Sequence, residues 1–164
     1  MDLNKIGKEL DKRIQLADVK SYVDQGVGLV PKDIEMKIMG QIALLADEEI
    51  SSLIELNTTF DVDAQVKASA EVANILDQLL KEKGLALDRL SDEIWMPPDT
   101  IWETQYDGEY VKILKARPID VLVSKGVKAP AKNKKLIRDA MGIYGNELLK
   151  RIDDFGGDSS FFNI

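Results

Sequence analysis

The stretch that decides the predicted fold spans residues 61–83 and reads DVDAQVKASAEVANILDQLLKEK. Asp61 or Asp63 can cap a helix at its start, and Gly84 is a typical stop at its end. Between these ends the apolar residues recur at helical spacing in two stripes, which together are wider than the face that a surface helix buries. The pattern predicts one long helix that packs on two sides.

The residues before this stretch repeat the helical pattern. Pro31 stands where a helix would begin, and proline is favoured in the first turn because its nitrogen needs no hydrogen-bond partner there. Residues 31–83 are therefore predicted to form a helical hairpin. The apolar positions that follow Pro31 at helical spacing are Ile34, Ile38, Ile42 and Leu45.

The second stripe of the helix predicted over residues 61–83 has two interpretations. It can belong to the core of a monomer, or it can pack against another subunit, and the sequence leaves both open. We predict it as a partner or oligomer contact surface. Its members are Ala68, Val72, Ile75 and Leu79.

A change of period after Pro98 predicts a β-hairpin over about residues 100–114. Asp107 and Gly108 are a strong signal for a two-residue hairpin turn. Such a turn would place Thr104 opposite Val111 and would bury Trp102 and Tyr106. An isolated hairpin is marginally stable in water, so Trp102 and Tyr106 are predicted to contact either the helices or a partner.

The whole pattern predicts a mainly α protein, a helical bundle with one small β-hairpin. Residues 1–96 form an acidic helical core, residues 97–130 carry the hairpin and a basic segment, and residues 131–164 form a last helix and an aromatic tail. We expect one structural unit. Residues 118–124 fit a short helix, with a strand as the alternative, and the last helix is predicted over residues 133–154.

The composition excludes several kinds of site. The 164 residues include no histidine and no cysteine, which removes imidazole bases, thiolate nucleophiles and the usual zinc sites. The acidic runs at Asp47, Asp92 and Asp153 lack the alternate spacing of a calcium loop. We therefore predict no enzyme activity, no catalytic residue, no metal and no cofactor.

The net charge of −7 is unevenly distributed, because residues 112–138 hold nine basic side chains against Asp120 alone. Such a segment can neutralise the phosphates of a nucleic acid, or it can contact an acidic partner. The alternative is a solvated linker. The predicted contact residues are Lys125, Lys128, Lys132, Lys134, Lys135 and Arg138.

The C-terminal tail is the other predicted contact segment. Phe161, Phe162 and Ile164 follow a glycine pair, and large apolar side chains on a tether can insert into the groove of a partner. The alternative is that the tail folds back on its own subunit or a neighbouring one.

The predicted helical hairpin, β-hairpin and basic segment resemble bacteriophage packaging and head-to-tail assembly subunits, for example the small terminase subunit. The resemblance covers about half of the chain and implies a viral assembly component. We predict a non-enzymatic structural or adaptor subunit of a packaging, head-tail or neck assembly. Its predicted partners are proteins, either in a homo-oligomer or in a hetero-assembly.

The alternatives are a nucleic-acid-associated protein and a small acidic inhibitor of a basic partner. No apolar run is long enough to span a membrane, so the expected location is the cytoplasm or a virion.

Overall fold

The computed structural model describes residues 1–88 and 90–163. It corrects the predicted fold class: 17% of the chain is strand, in a five-stranded mixed sheet, and the protein is α+β. A mainly α bundle with a helical hairpin over residues 31–83 is wrong. The resemblance to phage assembly subunits therefore loses the helical hairpin, one of the three features on which it rested.

The sheet has the strand order β3-β2-β1-β5-β4. Strand β1 lies at the centre, antiparallel to β2 and parallel to β5. At one edge β3 runs parallel to β2, and at the other edge β4 runs antiparallel to β5. The strands are β1 (Ile34–Met39), β2 (Asp61–Lys67), β3 (Ala86–Asp88), β4 (Trp102–Asp107) and β5 (Val111–Ala116).

Seven helices and two short 3-10 turns lie among the described residues. Gly145, at a positive φ of 57°, divides the last predicted helix into two. The 3-10 turns are Ser91–Glu93 and Ser159–Phe162. The helices are α1 (Leu3–Gln25), α2 (Gly40–Leu45), α3 (Glu48–Leu53), α4 (Ala70–Glu82), α5 (Pro118–Lys128), α6 (Lys134–Tyr144) and α7 (Asn146–Asp154).

Two segments that were predicted as helix are strands because their apolar residues also alternate. In β1 the side chains of Ile34, Met36 and Ile38 are buried, while the residues between them are less so. In β2 Val62 and Ala64 are buried in the same way. Residues four positions apart share a face in a strand as well as in a helix. Apolar residues at that spacing, such as Ile34 and Ile38, therefore fit a strand and a helix equally well.

The helix that follows β2 begins only at Ala70. Ser69 caps it, since its hydroxyl accepts a hydrogen bond from the Val72 N–H at 3.2 Å. Asp61 and Asp63, which the sequence placed at a helix start, are therefore strand residues. This correction moves both carboxylates onto the sheet.

Strands β4 and β5 form a hairpin, but the predicted register is wrong. Thr104 lies opposite Leu114 and Trp102 opposite Ala116, with an irregularity between Thr104 and Tyr106. The turn is longer than two residues because Asp107 pairs with Lys112.

The core lies between the sheet and its helices. Helix α1 packs on β4, β5 and α4, and its first half buries Leu3, Ile6, Leu10 and Ile14. Helix α5 packs against α2, α6 and α7. A carboxylate of α1 secures the hairpin, since Asp11 accepts from the N–H groups of Tyr110 at 2.8 Å and Val111 at 3.1 Å, and from the Tyr106 hydroxyl.

Candidate functional site

The strand register brings two carboxylates together where β1 ends. Asp63 of β2 lies opposite Met39 of β1 on one side and opposite Asp88 of β3 on the other. Asp61 is two residues from Asp63 and projects from the same face of the strand. We call Asp61, Asp63, Asp88 and the nearby Lys125 the Asp63 cluster.

Gly40, the residue that joins β1 to α2, leaves room for the Asp63 carboxylate. Its φ is +66°, and a Cβ at this position would collide with that carboxylate. Only glycine combines this backbone conformation with so close an approach. The start of α2 and the side chain of Asp63 are thus in direct contact.

The pKa of Asp63 is raised to about 6. Burial is the largest cause, followed by the negative charge of Asp88 and by a hydrogen bond with that carboxyl. Asp61 acts in the same direction, and Lys125 opposes them.

Lys125 of α5 supplies the positive charge of the cluster. Its pKa is lowered, mainly by burial and then by the positive charge of Lys132, while Asp63 raises it. Lys132 is exposed. The half-buried Lys125 is therefore close enough to both Asp63 and Lys132 for their charges to interact with its own.

Asp88 is held in place by the turn that follows β3. The Leu90 N–H donates to its carboxylate at 2.8 Å, and the buried Ser91 hydroxyl donates to its carbonyl oxygen at 2.6 Å. The Ser91 oxygen also accepts from the Ala64 N–H at 3.0 Å, which ties the turn to β2. The spacing of Asp63 and Asp88 is thus built into the fold.

A cleft of about 190 Å³ is lined by Gln41, which follows Gly40, and by Asn57 and Lys132. The four residues of the Asp63 cluster do not line it. Pockets for drug-sized ligands usually have roughly 300–1,000 Å³, so this cleft would enclose only part of such a ligand.

The donor set determines which metal the cluster could hold. Within residues 1–88 and 90–163, no group of three or more acidic side chains is arranged as a complete metal site. Mg²⁺ does not need one, because it keeps several waters and is commonly held by one or two carboxylates plus the phosphates of a ligand. Asp63 and Asp88 fit that partial site.

The structure separates the six predicted basic contact residues. Lys125 belongs to the Asp63 cluster and Lys132 interacts with Lys125, and the other four interact with other parts of their own chain. Lys128 lies 5.1 Å from the Trp95 ring, and Lys134 lies 4.7 Å from the Phe161 ring. Lys135 forms an ion pair with Asp139 at 2.7 Å, and Arg138 donates to the Phe162 carbonyl at 3.1 Å.

The other predicted contact residues are spread over the molecule. Val72 and Leu79 are buried in the chain's own core, and Ala68 and Ile75 are partly buried against it. Trp102 and Tyr106 are half-buried on the hairpin. Phe162 is buried and Phe161 is exposed, while Ile164 lies outside the described residues. Their role in contacts with a partner stays a prediction.

The sequence signal for the Asp63 cluster was present but misinterpreted. Asp61 and Asp63 alternate with buried Val62, and that period of two marks a strand whose polar face carries both carboxylates. Asp88 gave no such signal, because β3 has only three residues.

Comparison with protein-family models, curated proteins and solved structures gave no match. Among the described residues, no helix has the length and apolar character needed to cross a membrane.

Proposed function

We propose that the chain binds a divalent cation at Asp63 and Asp88 together with a phosphate-bearing ligand. The observation that carries the proposal is the contact between these two carboxylates, one of which has a pKa of about 6. Perturbed titratable groups in contact with a second charge are typical of functional sites.

A divalent cation suits the pair for an electrostatic reason. Two neighbouring carboxylates repel each other when both are ionised, and a cation between them removes that repulsion. The cation would also polarise a phosphate oxygen and stabilise the charge that develops there. Histidine and cysteine are absent, so a cation site in this chain has to use oxygen ligands, which Mg²⁺ prefers, and this proposal departs from the prediction of no metal made from the sequence.

Phosphate is the ligand group that the surrounding charges favour. Lys125 adds positive charge beside Asp63, and Lys132 adds positive charge near Lys125; lysine is a common phosphate-binding side chain. The cation and the lysines would neutralise the ligand from two sides. The cleft lined by Gln41 and Asn57 gives room for a polar group attached to the phosphate.

Calorimetric titration with ATP as the probe tests the proposal. We expect binding in the presence of Mg²⁺ and at least a tenfold loss with EDTA, because the phosphates complete the cation's coordination. Asp63→Asn and Asp88→Asn should each weaken binding at least tenfold, and Lys125→Met about tenfold. Asp92→Asn, an exposed change on the neighbouring 3-10 turn, is the matched control.

Two results would contradict this proposal. One is wild-type affinity for Mg²⁺ and ATP in both Asp63→Asn and Asp88→Asn. The other is the absence of binding to wild type by either ATP or inorganic tripolyphosphate with Mg²⁺.

The assembly role inferred from the sequence stays a prediction. Its supporting features have roles within the chain: the stripe of α4 joins the core, the hairpin joins the sheet and Phe162 is buried. We therefore favour the Asp63 cluster as the functional site. The alternative of nucleic-acid binding also stays a prediction, and Lys132 is an exposed basic residue that could contribute to it.

A further inference from the structure

The second half of α1 and the loop after it expose an apolar surface, which we call the α1 face. The first half of this helix is buried from Leu3 to Ile14, but the pattern then reverses. All members of the α1 face are more than half exposed, and Val30 reaches 82%. They are Leu16, Val19, Tyr22, Val23, Val27 and Val30.

The loop of the α1 face is fixed against the helix. The Leu29 N–H donates to the Asp18 carboxylate at 2.8 Å, and the Ser21 hydroxyl donates to the Val27 carbonyl at 2.8 Å. Lys32 also forms an ion pair with Asp18 at 3.1 Å. The surface is therefore formed before any partner arrives, which reduces the entropy lost on binding.

The exposed apolar area of the α1 face indicates how large a partner surface would be needed to cover it. Its side chains expose on the order of 500 Å² of apolar surface, near the upper end of what monomers present. Two such faces would bury about 1,000 Å² in total, the lower limit for a specific protein interface. A second copy of the same face is therefore large enough to cover the first.

We propose that the α1 face forms a symmetric dimer in which two α1 helices pack antiparallel. A two-fold axis near Ser21 and Tyr22 lays the two apolar stripes against each other. Val19 then lies opposite Val23 of the second copy, and Leu16 lies close to the loop that follows the second α1, which begins at Gly26 and carries Val27. Apolar side chains of one copy then contact apolar side chains of the other, as a self-complementary interface requires.

The charges on α1 agree with this register. Lys20 and Asp24 are one helical turn apart beside the apolar stripe, and both are exposed. The axis that pairs the valines also places Lys20 near Asp24 of the second copy. A parallel arrangement would instead put like charges side by side. Opposite charges in register contribute to the orientation of a dimer more than to its affinity.

Sedimentation equilibrium over a range of protein concentrations tests the dimer. We expect a monomer–dimer equilibrium with a Kd in the micromolar range, as the small interface implies. Val23→Asp should raise the Kd at least tenfold. The control is Leu53→Asp, which changes a leucine on α3 that is also more than half exposed but lies outside the α1 face.

Charge exchange tests the orientation. Lys20→Asp should weaken the dimer, and adding Asp24→Lys to it should restore the wild-type Kd. A wild type that stays monomeric at several hundred micromolar would overturn the proposal and leave the face to a different partner. A dimer that Val23→Asp does not weaken, or a charge exchange that does not restore the wild-type Kd, would overturn it too.

Discussion

Replacement of Asp120 by alanine is expected to lower the free energy of unfolding by about 3–5 kcal/mol, the usual result of removing one partner from a buried ion pair. Asp120 is fully buried at the start of α5. It accepts hydrogen bonds from Arg151 at 2.6 Å, Arg117 at 3.1 Å and the Ile101 N–H at 3.0 Å. Its removal would leave the Arg151 guanidinium without its buried partner.

Asp99 provides the matched control for this prediction. It also binds Arg151, through two hydrogen bonds of 2.8 and 3.0 Å, but its side chain is exposed. Water can replace an exposed carboxylate, so Asp99→Ala should cost only a small fraction of the Asp120 effect. Urea denaturation of both variants measures the difference. Equal destabilisation would show that burial of Asp120 is not the cause.

Phe162→Ala is expected to lower the free energy of unfolding by about 3–5 kcal/mol, as large-to-small changes of buried phenylalanines do. Phe162 is fully buried, although it is only two residues before Ile164. Arg138 of α6 holds this segment by donating to the carbonyls of Phe162 at 3.1 Å and Asn163 at 3.2 Å. The tail therefore packs as part of the core.

The neighbouring phenylalanine is the natural control. Phe161 is 37% exposed and contacts Phe162 edge-on with ring centroids 5.4 Å apart. Phe161→Ala should cost about 1 kcal/mol, the value of one aromatic pair. Thermal and urea unfolding of the two variants would measure this difference. If Phe162→Ala were as mild as Phe161→Ala, the tail would not be packed in the core.

The local sequence signals located many elements but not the sheet. Helix α1 runs to Gln25 and ends at Gly26, whose left-handed backbone conformation is typical of a helix end. The segment Ile34–Met39 was misassigned because its apolar residues satisfy both the helical and the strand period. Its pairing with β5, more than 70 residues further on, could decide between the two periods, and no local pattern contains that information.

The candidate site could not be predicted for the same reason, because it depends on the pairing of strands that are far apart in the sequence. Asp63 was assigned to a helix cap, so nothing connected it with Asp88 or with Lys125 of α5. Three separate elements bring these side chains together, and two of them are strands that the sequence did not predict. The basic segment was noticed as a group, but its residues divide between the cluster and contacts elsewhere in the chain.

The titration of Asp63 is linked to folding and to cation binding. Its pKa in the folded state lies above the ordinary value of 3.8. The folded protein thus binds more protons than the unfolded chain between 3.8 and about 6, and this group's contribution to stability falls as pH rises through that window. A bound cation should reverse the effect, because it favours the ionised carboxylate.

Carbon-13 NMR titration of the Asp63 carboxyl, assigned by comparison with Asp63→Asn, measures this linkage directly. Without a divalent cation, the carboxyl should titrate with a pKa of about 6. With Mg²⁺ and ATP present, the pKa should fall by more than one unit as the cation binds Asp63 and Asp88. A pKa near 6 that Mg²⁺ and ATP leave unchanged would contradict a cation site at this pair.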